Sequence, residues 1–216
     1  MHNAKRFMNA RRLIYVPIVH TQADMGSLSS ALQKEFVEKF GEEKWQHHIR
    51  EIDEMWDGLK SRLDRLNLDY SRVRLYQDGL PVCGRETQMV KDLAAKGSKN
   101  YALLAALVAR GAKVEGTEDP ALLLEEYHHL QEIARAKSKL KRKKEIHAYQ
   151  SKGVALLAKR DTFIKQRIET TLKEGETGIL FIGLLHKVDE ELSIDIHTTF
   201  LIHRLPFKRQ FALKEV

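Results

Sequence analysis

The chain has 216 residues, 43% of them hydrophobic, a formal net charge of +7 and one cysteine, Cys83. That length suits one sizeable core rather than two full-sized domains, and a single cysteine excludes an internal disulfide and a cysteine-rich zinc site, so a reducing cytoplasm is the expected setting. The basic start Met1-His2-Asn3-Ala4-Lys5-Arg6 leads into an apolar stretch that is short, holds Pro17 and His20 and ends in no small-residue cleavage pattern, and no window approaches the ~20 apolar residues of a membrane span.

The first element, Arg12-Leu-Ile-Tyr-Val-Pro-Ile-Val-His20, is a continuous apolar run of the kind buried on both faces of a sheet. Asp24 or Ser27 can then cap a helix carrying Leu28, Leu32, Phe36 and Phe40 at steps of four. After Gly41, the residues Trp45, Ile49, Ile52, Trp56, Leu59, Leu63 and Leu66 alternate by four and three. That heptad-like seam predicts a long helix, hairpinned with the first, that packs on another helix of this chain or of a partner subunit.

A second strand is expected at Arg72-Val-Arg-Leu-Tyr-Gln77, running into the turn Asp78-Gly79-Leu80-Pro81. Helices at about Glu86 to Ala95 and Ser98 to Arg110 follow, the second stopped by Gly111, and Ala112-Lys-Val-Glu115 makes a short strand. Asp119 and Pro120 are an N-cap and a first helical residue, which leaves Glu118 at the strand–helix junction as either a helix-dipole partner or a site residue. From Ala121 to Leu172 the pattern is helical, with Gly153 as a candidate break. Arg160-Asp161 heads an amphipathic series, and Gly178-Ile-Leu-Phe-Ile-Gly-Leu-Leu-His186 is another buried strand. Ile196 to His203 resembles a last strand, on which His197 and His203 are strand or edge residues. The pairs His47-His48 and His128-His129 lie on helices, where neighbours face different directions and do not chelate one ion easily.

The excess charge is local: Arg135 to Lys144 holds seven basic residues and no acid, which equals the whole surplus. Such a stripe is a solvated helix face or a contact for an acidic or nucleic-acid partner, although it lacks interleaved aromatics for base stacking. No Gly-rich phosphate loop, dinucleotide fingerprint or Gly-x-Ser-x-Gly elbow is present, and Cys83 in its turn is the one conceivable thiol nucleophile.

These elements predict an α/β fold with a mixed or mostly parallel central sheet, in one domain spanning 1–216 with helical insertions at about 27–68 and 121–174. In such a sheet, ligands bind beyond the carboxyl ends of the strands. His20 and His186, each ending an apolar strand nearly a chain apart, therefore point to one site.

The order of His20, Asp78, Glu118, Arg160-Asp161 and Gly183-Leu-Leu-His186 resembles the TraB/PrgY, Tiki and erythromycin-esterase-like superfamily. Its members carry two Gly-x-x-His segments near the two ends, separated by acidic residues and an Arg-Asn or Arg-Asp helix. This chain departs from the pattern with Pro17 in place of the first glycine and with Asp78 where glutamate is frequent.

The resemblance implies a hydrolase-like site in which His20, Asp78, Glu118 and His186 line one pocket. Arg160 would bind an anionic or carbonyl oxygen of a small-molecule or peptide substrate, with Asp161 supporting it and Gln77 nearby. Water would be activated by histidine or by a divalent transition metal held by His20, Glu118 and His186. The competing expectation is a non-catalytic interaction protein that dimerises through its helical arm and binds an acidic partner through 135–144.

Overall fold

The computed structural model describes residues 10–20, 29–136, 138–203 and 205. In chain order the elements are β1 (Arg11–Ile18), α1 (Ser29–Phe40), α2 (Glu42–Asp64), β2 (Val73–Gln77), α3 (Glu86–Ala95), α4 (Lys99–Ala109), β3 (Lys113–Val114), α5 (Pro120–Arg135), α6 (Lys139–Thr171), β4 (Thr177–Gly183) and β5 (Ile196–Phe200). The strands form one sheet in the order β3-β2-β4-β1-β5, with every pair parallel. The α/β expectation holds, in its parallel form. The capping expected of Asp24 or Ser27, and Leu28 with it, lies outside the described residues.

Alternation along the strands sorts the core into two layers. Ile14, Val16, Ile18, Val73, Leu75, Ile179 and Phe181 face α2, α3 and α4, whereas Leu13, Tyr15, Tyr76, Leu180 and Ile182 face Ile164, Ile168 and Leu172 of α6. Helices thus cover both faces, as a buried parallel sheet requires. The α2 seam is consumed by this arrangement: Ile52, Met55, Trp56, Leu59 and Leu63 are buried in the first core layer, with Trp56 6.2 Å from Phe181. At its start Trp45 packs on Phe36 of α1. The seam therefore seats the helix on its own sheet, because a stripe spaced by three and four suits a sheet face as well as another helix.

Two boundaries differ from expectation. Gly153 lies inside α6, and the hairpin turn falls between Ala136 and Ser138, where the Ser138 hydroxyl accepts the Lys141 N–H and starts the new helix. Arg160-Asp161 consequently sits within α6 rather than at a helix start, with the expected apolar series Ile164, Ile168 and Leu172 following it into the core. β5 ends at Phe200; His197 is exposed on it, and the His203 ring beyond it packs against Gly58, where a Cβ would collide with the imidazole.

Pro17 sits in β1 opposite Ile182 of β4. Tyr15 turns its carbonyl to the Leu201 N–H on the β5 side, so Pro17, two residues on, faces that same side past the end of β5 pairing. Its missing N–H falls where no ladder partner is needed.

Candidate functional site at the carboxyl edge of the sheet

Parallel strands bring all their carboxyl ends to one edge, and the register levels them. Ile18 pairs with Gly183 and Gln77 with Phe181, while the Asp78 N–H donates to the Phe181 carbonyl at 2.9 Å. His20 follows β1, Asp78 follows β2, Glu118 follows β3, and His186 follows β4 through a turn closed by His186 N–H to Gly183 O at 3.1 Å. A bridge between Pro81 and Glu118, with Glu118 N–H donating to Leu80 O at 3.0 Å, ties the third loop to the second. α6 supplies Arg160 and Asp161 from the opposite layer.

Arg160 is the hub. Its Nη2 donates to Asp78 Oδ1 at 2.8 Å and Glu118 Oε1 at 2.6 Å, its Nε to Glu118 Oε2 at 3.2 Å, and its Nη1 to Glu126 Oε2 at 2.7 Å. Only a planar fork of donors can hold three carboxylates in this way. Burial works against the Arg160 charge, but Glu118, Asp78 and Glu126 outweigh it and raise its pKa further.

Asp78 Oδ2 is the second focus. It lies 3.3 Å from His20 Nε2 and 3.5 Å from His186 Nε2, and it accepts the Gly183 N–H at 2.9 Å. Gly183 is required there: a Cβ would stand 2.9 Å from the same oxygen. His186 is fixed from its other side, Nδ1 lying 2.5 Å from Asp161 Oδ1, whose partner oxygen accepts the Lys187 N–H at 3.0 Å. Asp161 thus supports His186, and no contact with Arg160 is seen. His186 is buried, whereas the His20 side chain is 35% exposed and forms the accessible face of the pair.

Burial disfavours the Asp78 charge, but the hydrogen bond and charge of His20, then His186 and Arg160, outweigh it and hold the carboxyl well below the usual carboxylate range. Glu118 goes the other way: burial pushes it up, with the Asp78 charge adding to the effect, and Arg160 offsets this only in part. Two carboxylates on one guanidinium are driven apart, one kept ionised and one made a better proton holder. Three carboxylates, those of Asp78, Glu118 and Glu126, contact the one guanidinium, and Asp161 adds a fourth to the cluster through His186. An imidazolium or a bound cation would reduce the imbalance.

Asp78, Glu118 and His186 present ligand atoms within 4.8 Å of one another, so the donor set and spacing fit a divalent metal. This trio shares Glu118 and His186 with the expected set of His20, Glu118 and His186 and brings in Asp78, which His20 contacts. Arg160 Nη2 already occupies one oxygen of each carboxylate, so the metal would compete with the guanidinium.

Of the residues expected at the site, His20, Asp78, Glu118, Arg160, Asp161 and His186 are brought together. Gln77 is fully buried, its amide nitrogen donating to the Asp78 carbonyl at 3.0 Å, so it shapes the turn that carries Asp78. Sequence reasoning missed Glu126, which takes the third arm of Arg160 and accepts a hydrogen bond from the Tyr149 hydroxyl at 3.1 Å; burial, then Glu126, pushes Tyr149 up to about 12. It also missed Tyr15, whose hydroxyl donates to the His186 carbonyl at 3.3 Å. Glu126 reads as an ordinary solvated helix residue and Tyr15 as core, so neither carried a local signal. Cys83 is exposed in its turn, outside this cluster.

No protein-family model, curated protein or solved structure matches this chain.

Proposed function

We propose that the protein is a hydrolase in which His20, oriented by Asp78, activates water and His186, held by Asp161, is the second acid–base group. The observation that carries this reading is the convergence of two imidazoles, from opposite ends of the sequence, on one carboxylate oxygen at the carboxyl edge of a parallel sheet. His20, held by Asp78 and the more exposed of the two imidazoles, can in its neutral form take a proton from water as the water oxygen attacks a carbonyl carbon. The proton then passes to the leaving group. Arg160 holds Asp78 and Glu118 in place, and contributing to a substrate oxygen would require it to loosen one of those bonds. The resemblance to the TraB/PrgY, Tiki and erythromycin-esterase-like superfamily supports the same reaction class.

The four-carboxylate cluster favours a metal-assisted variant of this reading. A divalent transition ion on Asp78, Glu118 and His186 would supply Lewis acidity and a more acidic water. The remaining alternative, an interaction protein, draws support from Lys141, Lys143 and Lys144, which are exposed on α6, while Arg142 pairs with Glu35 of α1. Neutralising those lysines would weaken and flatten the salt dependence of any anionic partner's binding without touching hydrolysis. A cytoplasmic monomer or dimer is consistent with either reading, and among the described residues no helix is long and apolar enough to cross a membrane.

The test is release of p-nitrophenolate from p-nitrophenyl acetate, alongside elemental mass spectrometry of the purified protein. Hydrolysis should fall about 10²-fold or more in His20→Ala, Asp78→Asn and His186→Ala. A double His20→Ala/His186→Ala variant as active as wild type would sink the assignment. A stoichiometric metal lost in His186→Ala but retained in His20→Ala would select the metal-assisted variant.

A further inference from the structure

The exposed side of His20 opens onto a cavity that the cluster itself does not use. It lies between α1 and α2, has a volume of about 350 Å³, and is walled by His20, Phe36, Phe40, Trp45, His48 and Ile49. This volume is within the range of small-molecule pockets, which are mostly apolar with a few placed polar groups. The wall is aromatic and already packs in the tilted manner aromatic rings prefer: Phe36 and Phe40 are 4.9 Å apart, and Phe36 and Trp45 5.3 Å. His48 stacks on Phe36 with ring planes 9° apart, and burial lowers its pKa; Glu35 and Lys39 also line the cavity and add one charge of each sign beside the aromatic rings. Nothing in the hub of carboxylates explains an aromatic cavity that has one of the two imidazoles in its wall.

We infer that this cavity is the subsite for an aromatic group of the substrate, placed so that an ester or amide carbonyl attached to it lies beside His20. The cleavage part of this statement rests on the hydrolase reading; the binding part does not. A ring in the cavity stacks against Phe36 and Trp45 and leaves its carbonyl at the mouth, where His20 joins the cavity to Asp78. Binding energy from the ring, remote from the reacting bond, then positions the carbonyl. α1 and α2, which look like arms in the sequence, become the specificity wall.

The experiment uses phenylacetamide as an aromatic probe and acetamide as its truncated control, read by quenching of Trp45 fluorescence, with Trp56 in the core as a constant background. Saturable quenching by phenylacetamide alone is expected, weakened at least tenfold in Phe36→Ala and abolished in Ile49→Phe, which fills the cavity instead of emptying it and adds no fluorophore that competes with Trp45. Circular dichroism confirms that both variants fold. Absence of saturable quenching, or equal affinity in wild type and Ile49→Phe, overturns the subsite. Hydrolysis of p-nitrophenyl phenylacetate against p-nitrophenyl acetate separates the two readings. Binding of phenylacetamide with neither ester cleaved leaves the subsite and removes the hydrolase; cleavage of both esters at equal kcat/KM without binding removes the subsite and leaves the hydrolase. A preference of tenfold or more for the phenylacetyl ester, lost in Ile49→Phe, supports both.

Discussion

Removing the Arg160 guanidinium would leave Asp78, Glu118 and Glu126 facing one another with no shared donor. Arg160→Met should therefore cost about 3–5 kcal/mol, the range for stranding buried charges, read as a lower urea midpoint at unchanged m. Arg160→Lys should recover little, because an ammonium cannot bridge three carboxylates in one plane. Asp78 gives a pH signature. Its folded pKa is depressed, so its contribution to stability is present above the unfolded value of ~3.9 and is lost as pH falls through the folded value. Asp78→Asn should be less stable than wild type at neutral pH and should lose less on acidification below about pH 4; urea midpoints at several pH values would check this, and parallel acid limbs for the two proteins would contradict it. Glu118, being raised, acts in the opposite sense, stabilising below its unfolded value and losing that as pH rises, so it blunts the wild-type acid limb without reversing it. His20 and His186 were legible because a polar residue ending an apolar strand stands out. The pairing of Asp161 with His186 was not, since a neighbour in sequence on a helix points elsewhere and spacing alone does not tell which partner lies across the sheet.

Among the elements, α2 shows how a periodic stripe can be read correctly as a helix face without revealing all that it packs on: it meets α1 and α4, as a helix–helix seam would, and the sheet as well. Trp56 is buried in the core layer against Phe181, so Trp56→Ala should cost about 3–5 kcal/mol, whereas a seam built for a partner subunit would make the loss depend on protein concentration. The α5–α6 hairpin teaches the converse. Gly153 looked like a breaker, but a Cβ there would meet nothing closer than Tyr149 at 3.9 Å, and the residue is helical. Gly153→Ala should accordingly stabilise by about 0.5–1 kcal/mol in thermal or urea unfolding. Ser138, carrying no apolar periodicity, gave the weaker signal and sets the turn. Helix existence and the Asp119–Pro120 start were recoverable because capping chemistry is local; the turn position was not, because it depends on how far α6 must extend to bring Arg160 over the sheet.

At the scale of the molecule, the parallel sheet was foreseeable from three apolar runs separated by helical stretches, but its order was not, because nothing local says which strand enters between which. That order has a consequence for how the protein comes into being. β4 fills the gap between β1 and β2, and it is encoded after the helices α1 to α6. Until residue 177 onward is in place, β1 and β2 have no shared neighbour, each shows an open inner edge, and the apolar faces meant for Leu180 and Ile182 lie bare. The same insertion delivers the Gly183 amide and His186 to Asp78. A nascent chain that ends before β4 therefore has a gap between β1 and β2 with strand edges open to foreign strands, and the residues of the site come together only when β4 closes it.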